Sequence, residues 1–167
     1  WKSLKFIADK YNLQLVNDNC HALGSSYLKN KKYASKYADV VTHSYHPVKH
    51  ITTGEGGAIL SNNKDIIDKV KLLRSHGIVK SKNKISNYQG PWYYELNELG
   101  FNYRLTDFQC ALGINQLKKL DNYIKKRQKI AKIYNNSFKD NMQFTIPYVS
   151  KKSLHSYHLY PLLINFE

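Results

Sequence analysis

Apolar side chains along the chain alternate between the spacing typical of helices and the runs typical of buried strands. Helical intervals relate Leu4, Ile7, Ala8 and Tyr11. The apolar stretch 13–16 follows them and predicts a short buried strand that ends at Asp18. The β-branched run 38–44 predicts a second buried strand, and Gly57–Leu60 predicts a third. Helices and strands that alternate in this way indicate an α/β fold.

The segments between and after these strands predict further elements. A helix is indicated by the spacing of Ile66, Ile67, Val70 and Leu73. Gly77 is expected to stop this helix. Tyr27 and Tyr33 flank a polar stretch and predict a small exposed hairpin. Residues 78–98 are polar and aromatic and predict a long loop, whereas residues 165–167 have the composition of a strand.

A capping box begins the longest predicted helix. Thr106 can accept a hydrogen bond from the first free amides of that helix, and Gln109 can reach back to the amide of Thr106. Apolar residues then recur at helical spacing, at Leu112, Ile114, Leu117, Leu120, Tyr123, Ile124, Ile130, Ile133 and Tyr134. We expect a kink or a break in this helix near Asp121.

The composition is that of a globular protein with a strongly basic surface. Of the 167 residues 42% are hydrophobic, and 26 Lys plus Arg against 12 Asp plus Glu give a formal net charge of +14. Such a charge raises nucleic acid as a partner. The lysines, however, are spread along the whole chain without a nucleic-acid motif. We therefore expect no nucleic-acid partner, and a basic binding module remains the alternative outside the enzyme class.

Cysteine usage and hydropathy predict neither a metal site nor a membrane segment. Cys20 and Cys110 lie far apart and outside any metal-ligand spacing, so we expect reduced thiols. Apolar runs stay well below the roughly 18 residues of a membrane-spanning helix, and the cytoplasm is the expected compartment. Because the chain opens at Trp1 within a predicted helix and ends within a predicted strand, we expect an internal fragment of a longer protein.

Lys49 lies between the second predicted strand and a glycine-rich turn. Gly54, Gly56 and Gly57 permit backbone conformations that residues with a Cβ resist. Lys49 is therefore expected on a loop at the carboxyl end of a strand, and ligands of open α/β sheets bind beyond those ends. A reactive amine is one interpretation, and a solvated surface lysine is the alternative that these local features leave open.

Several segments, taken in order, resemble one enzyme family over nearly the whole chain. They are Val-Asn-Asp-Asn-Cys-His-Ala-Leu-Gly at 16–24, Ser-Tyr-His-Pro-Val-Lys-His-Ile-Thr-Thr-Gly-Glu-Gly-Gly at 44–57, Leu-Leu-Arg-Ser-His-Gly at 72–77, Leu-Gly-Phe-Asn-Tyr-Arg-Leu-Thr-Asp at 99–107 and His-Ser-Tyr-His-Leu-Tyr-Pro at 155–161. The set resembles the DegT/DnrJ/EryC1/StrS sugar aminotransferases, which are fold-type-I enzymes dependent on pyridoxal phosphate. The segments around Lys49 and at 157–161 most resemble the branch that aminates UDP-linked 4-keto-6-deoxy sugars on the route to pseudaminic acid.

The resemblance implies cofactor-binding roles for five residues. Lys49 would form the Schiff base and transfer protons, Asp18 would pair with the pyridine nitrogen, and Ser44 would donate to the phosphate. His21 would lie near the cofactor ring. Asn102 would reach across a dimer interface to the phosphate in the partner's site.

Each of the non-lysine candidates also has a structural interpretation. Asp18 could cap a turn, and Ser44 could close a strand. His21 could be a buried structural histidine, and Asn102 could be an ordinary loop residue. The chain departs from the family at Asn17, where an acidic residue is usual, although Asp18 stays in register.

The resemblance also implies an architecture and an activity. Residues 1–125 would be the C-terminal part of a three-layer α/β/α large domain, and residues 126–167 would begin a smaller α+β domain. The expected reaction moves an amino group, with glutamate as the expected donor, to a nucleotide-linked 4-keto-6-deoxy sugar in a homodimer with composite sites. Perosamine, 4-amino-arabinose and 3-amino sugar enzymes remain alternatives. Lys49 argues against the dehydratase branch, in which His commonly replaces the lysine.

Overall fold

Helices and short strands alternate along the chain, as the apolar pattern predicts. The computed structural model describes residues 1–166. Its elements in chain order are α1 (Lys2–Lys10), β1 (Val16–Asp18), β2 (Ser26–Tyr27), α2 (Tyr33–Tyr37), β3 (Val40–Ser44), β4 (Gly57–Leu60), α3 (Lys64–Arg74), β5 (Ile78–Val79), β6 (Glu95–Leu96), α4 (Asp107–Phe138), β7 (Phe144–Thr145), β8 (Ser153–Leu154) and β9 (Leu163–Ile164). The helices and strands predicted at 4–11, 13–18, 38–44, 57–60 and 66–74 are all present.

A sheet in the order β1-β3-β4 positions the candidate site. β1 and β3 run parallel, with Asp18 opposite Thr42, whereas β3 and β4 run antiparallel, with Ser44 opposite Gly57. The carboxyl ends of β1 and β3 therefore meet at one edge of the sheet. Asp18 and Ser44 are the last residues of those two strands.

The central strand is buried by small residues on α2. Val41 is 2% exposed and packs with Ala34 and Ala38, while Leu15 and Tyr33 close the cluster at its side. The hairpin predicted over 27–33 is present as a tighter turn, because Tyr27 and Asn30 form an antiparallel bridge in which each amide donates to the other residue's carbonyl, at 3.2 and 2.9 Å. The predicted return at Tyr33 is wrong, since Tyr33 begins α2 and packs beside Val41.

Two other predictions need correction. The loop predicted over 78–98 contains the antiparallel pair β5 and β6, with Ile78 opposite Leu96. The strand predicted over 165–167 is wrong for residues 165 and 166, because β9 ends at Ile164, and Glu167 lies outside the described residues.

α4 is one continuous helix of 32 residues, so the predicted break near Asp121 is absent. The capping box is confirmed: Thr106 Oγ1 accepts from the amide of Gln109 at 3.3 Å, and Gln109 Oε1 accepts from the amide of Thr106 at 2.9 Å. The domain boundary expected near residue 125 falls inside α4 and stays a prediction.

The C-terminal part of the chain folds back on the loop after β1. β8 pairs antiparallel with β2, placing Ser26 opposite Leu154, and β7 pairs with β9. Gly24 allows α4 to approach, since a Cβ there would lie 2.1 Å from Ile124 Cδ1 and the backbone has φ +79°. Within residues 1–166, no helix combines the length and apolar character that crossing a membrane requires.

Candidate active site

A closed loop after β3 carries Lys49. The amide of Tyr45 donates to Gly56 O at 2.8 Å, and the amide of Thr53 donates to Tyr45 O at 3.0 Å, so the two ends of the loop are joined. A Cβ at Gly57 would lie 2.5 Å from His43 O, which explains why glycine is needed where the loop returns to the sheet. Lys49 is half-buried at the edge formed by the carboxyl ends of the parallel strands.

Asp18 lies beside this lysine. Its Oδ1 accepts from the amide of Cys20 at 3.0 Å. Hydrogen bonds from the Cys20 thiol and amide hold the pKa of Asp18 below its ordinary value, and the nearby charges of His21 and Lys49 lower it further. The carboxyl group is thus ionised and within electrostatic reach of Lys49.

Three imidazole rings gather next to Lys49. The exposed His21 ring lies 4.2 Å from the His158 ring, and the His50 ring lies 5.5 Å from it, both measured between centroids. His50 is only 3% exposed. Burial, with the nearby charges of Arg127 and His158, lowers the pKa of His50 to about 4, so its ring is neutral at pH 7.

His158 is neutral for related reasons. Burial lowers its pKa first, and the charges of His21, Lys49 and Arg127 lower it further. Its Nδ1 is buried and has no hydrogen-bond partner among residues 1–166. His50 and His158 therefore present neutral rings next to Lys49. No group of His, Cys, Asp and Glu in the described part of the chain could hold a metal ion.

Ser44 and Asn102 occupy different surroundings. Ser44 is half-buried at the end of β3, and its Oγ accepts from the amide of His46 at 3.3 Å. Asn102 is exposed and forms an isolated antiparallel β-bridge with Ser75, the residue that follows α3. The structure brings together Lys49, Asp18 and His21, because the charges of Lys49 and His21 both act on the Asp18 carboxylate. Among the described residues no hydrogen bond or ring contact joins Ser44 or Asn102 to Lys49.

Sequence reasoning assigned no role to His50, His158 or Arg127. A signal existed for His50, which follows Lys49 directly, and for His158, which lies in the segment Tyr-His-Leu-Tyr-Pro. Asn17 is buried at 4% exposure with an unpartnered Nδ2 among the described residues, and sequence gave no hint of that.

The fold and the site geometry can now be compared with known proteins. The sequence model of the DegT/DnrJ/EryC1/StrS aminotransferase family matches residues 1–167. The chain belongs to this family. The predicted family is therefore confirmed over the whole length of the chain.

Similar proteins agree with that assignment. The UDP-4-amino-4,6-dideoxy-N-acetyl-beta-L-altrosamine transaminase of Campylobacter jejuni (strain 81-176) is 51% identical over 158 residues, which cover 95% of this chain and 39% of that protein. A GDP-perosamine synthase of Vibrio cholerae is 32% identical over 99% of this chain and 42% of its own length. The chain thus spans about two fifths of the length of these curated relatives.

A solved structure confirms the fold. Helicobacter pylori PseC, described as an aminotransferase involved in the biosynthesis of pseudoaminic acid, superposes with a TM-score of 0.88 at 38% identity over 99% of this chain and 42% of that chain. The α/β fold of a sugar aminotransferase, expected from the family, is therefore confirmed for this chain.

Proposed function

We propose that the complete protein is a pyridoxal-phosphate-dependent aminotransferase that converts a UDP-linked 4-keto-6-deoxy sugar to its 4-amino form. The observation that carries this proposal is the placement of Lys49 beside the ionised Asp18, at the sheet edge where α/β enzymes bind ligands. The identity of 51% to the altrosamine transaminase supports the UDP-linked substrate over a GDP-linked one. Such substrates also favour the cytoplasm expected from sequence.

The residues present fit the cofactor. An ionised carboxylate stabilises a protonated pyridine nitrogen, and Asp18 is held ionised by hydrogen bonds from Cys20. The half-buried amine of Lys49 lies near this carboxylate, as a covalent attachment point requires. Ser44 adds a hydroxyl at the end of the neighbouring strand, where it would donate to the phosphate. When bound, the cofactor supplies an electron sink for the charge that develops at the reacting carbon.

Each side chain of the site has a separate role in the proposed reaction. With the cofactor held, Lys49 Nζ would be the base that takes the proton from Cα of the amino donor, for which we propose glutamate, and it would be the acid that returns a proton to C4 of the sugar in the second half-reaction. Asp18 would hold the pyridine nitrogen in its protonated form. His50 and His158 stay neutral and thus add no positive charge that would compete for Asp18.

We also propose a homodimer in which Asn102 serves the partner's phosphate site. Asn102 forms a β-bridge with Ser75, and no hydrogen bond among the described residues joins it to Lys49; the side chains around it are exposed, with Tyr103 at 70% and Phe108 at 91%. A twofold interface would bring this segment to a second copy of the site.

The test is reduction of the complete, cofactor-loaded protein with borohydride, followed by peptide mapping. The cofactor-derived label is expected on Lys49, and Lys49→Ala is expected to lose both label and turnover. Asp18→Asn is expected to keep the label but lose turnover by about 100-fold or more, because the electron sink is weakened. The exposed-lysine variant Lys80→Ala serves as the matched control and is expected to resemble the parent.

Three results would contradict parts of the proposal. Label on a different lysine would remove Lys49 from the reaction. Near-parental turnover of Asp18→Asn would remove Asp18 from the site. Turnover of a GDP-linked sugar in preference to the UDP-linked one would place the substrate in the perosamine class instead.

A further inference from the structure

A short C-terminal segment packs on the loop that presents His21 to the candidate site. We call residues 155–158 the clasp. Its Ser156 is fully buried at 0% exposure. Ser25 Oγ donates to Ser156 Oγ at 2.8 Å, and Ser156 Oγ donates to the backbone carbonyl of His21 at 3.4 Å. The hydroxyl of Ser156 therefore ties both ends of the loop 21–25 to the clasp.

The clasp is itself held by α4. Arg127 Nη1 donates to the carbonyls of Tyr157 at 3.0 Å and His158 at 3.3 Å, and Gln128 Nε2 donates to the carbonyl of His155 at 3.1 Å. Tyr157 has φ +50°, a left-handed conformation that is unfavourable for a non-glycine residue. A strained backbone of this kind persists only where the surrounding contacts impose it.

His158 is where the clasp reaches the site. Its ring lies 4.2 Å from the ring of His21, at an interplanar angle of 50°. His21 is exposed on its other side. Among residues 1–166, the His158 ring is the only ring in contact with that of His21, so it restricts the orientation of His21 on that side.

We infer that His158 is a positioning residue: it fixes the His21 ring relative to Lys49, while Ser156 fixes the backbone of His21. The contacts of His21 with His158 and Ser156 do not depend on a bound cofactor. The consequence for turnover rests on the proposed function, in which His21 faces the cofactor. Anchoring by Arg127 couples this position to α4, so a C-terminal segment distant in sequence helps to build the site.

The first test is hydrogen–deuterium exchange of the complete protein without cofactor. His158→Ala and Ser156→Ala are each expected to accelerate exchange of the peptide 19–25 by about tenfold, while peptides from α3 keep their parental rates. His158→Phe retains a ring against His21 and is expected to restore protection. The matched control is Leu159→Ala, which truncates the next side chain along, itself 61% exposed.

The second test is kinetic and uses the cofactor-loaded protein. His158→Ala is expected to lower kcat by about tenfold with cofactor occupancy unchanged and with a shifted visible absorbance of the bound cofactor, and His158→Phe is expected to recover most of kcat. Parental exchange at 19–25 in both Ala variants would overturn the inference. So would a His158→Phe variant that behaves like His158→Ala in both measurements. Because exchange is measured without cofactor, this failure is distinct from a failure of the Lys49 labelling.

Discussion

At the scale of single residues, His50 is the described side chain in which two buried polar atoms, rather than one, lack a well-formed hydrogen bond. It is 3% exposed, and among the described residues neither ring nitrogen has a partner at normal hydrogen-bond geometry, although the backbone of Ser156 lies close enough to favour the charged ring to a small extent. A buried polar group without a partner costs about 1–3 kcal/mol. The depressed pKa, about 4, is the electrostatic part of the same effect, because burial disfavours the charged ring more than the neutral one.

This depression makes stability depend on pH. The ordinary pKa of 6.5 applies to the unfolded chain and the lowered value, about 4, to the folded one. Protonation of His50 therefore does not reduce the unfolding free energy above pH 6.5. As the pH falls toward 4, the unfolded chain binds this proton more readily than the folded one, and the unfolding free energy decreases by roughly 3 kcal/mol in total. His50→Leu removes this titration.

Chemical unfolding of the complete protein at several pH values measures the effect. The gap in unfolding free energy between His50→Leu and the parent is expected to widen in favour of the variant between pH 6.5 and 4. Parallel curves for the two proteins would mean that the folded protein protonates His50 at its ordinary pKa.

At the scale of elements, the sequence predicted those ends of strands and helices that depend on neighbouring residues in the chain. The bounds of β4 and the start of α4 follow from glycine placement and from the capping box of Thr106 and Gln109. α2 could not be predicted in this way, since its alanines are fixed by packing on Val41. The pairing of β2 with β8 joins residues more than a hundred positions apart, and no periodicity in either segment specifies a partner.

The capping box gives a prediction for α4. Thr106→Ala removes the acceptor for the amide of Gln109 and is expected to lower the unfolding free energy by about 1 kcal/mol. Thr106→Ser keeps the hydroxyl and is expected to stay within a few tenths of a kcal/mol of the parent. Denaturant midpoints of the complete protein check both. A parental midpoint for Thr106→Ala, or an equal loss in Thr106→Ser, would show that the cap hydrogen bond does not stabilise the helix.

At the scale of the whole molecule, much apolar surface around Asn102 lies open. Leu99 is 88% exposed and Phe108 91%. A cleft of about 850 Å³ lies next to this surface, between the sheet and the segment 101–105. Motif resemblance predicted that Lys49 and Asp18 share one site, and in the structure the charge of Lys49 lies close enough to lower the pKa of Asp18. The resemblance could not fix the position of Asn102 relative to them, because in the proposed homodimer that distance runs between two copies of the chain.

Mixing inactive variants tests this arrangement. Lys49→Ala and Asn102→Ala homodimers of the complete protein are each expected to lack activity. An equal random mixture is expected to recover about one quarter of parental activity, because half of the dimers then carry one intact site of two. Subunit exchange is verified by mass spectrometry of tagged chains. An inactive mixture that contains heterodimers would show that Asn102 acts within its own chain or not at all.

α4 fixes the spacing between two anchored parts of the site. Near its start Gln109 Nε2 donates to Glu55 O in the loop of Lys49 at 3.1 Å, and further along Arg127 holds the clasp. At about 1.5 Å per residue these anchors stand roughly 27 Å apart. One residue inserted between them would turn Arg127 by about 100° around the helix axis and detach the clasp. Length changes in this part of α4 are therefore expected to separate the two anchors, because the helix fixes the distance and the angle between them.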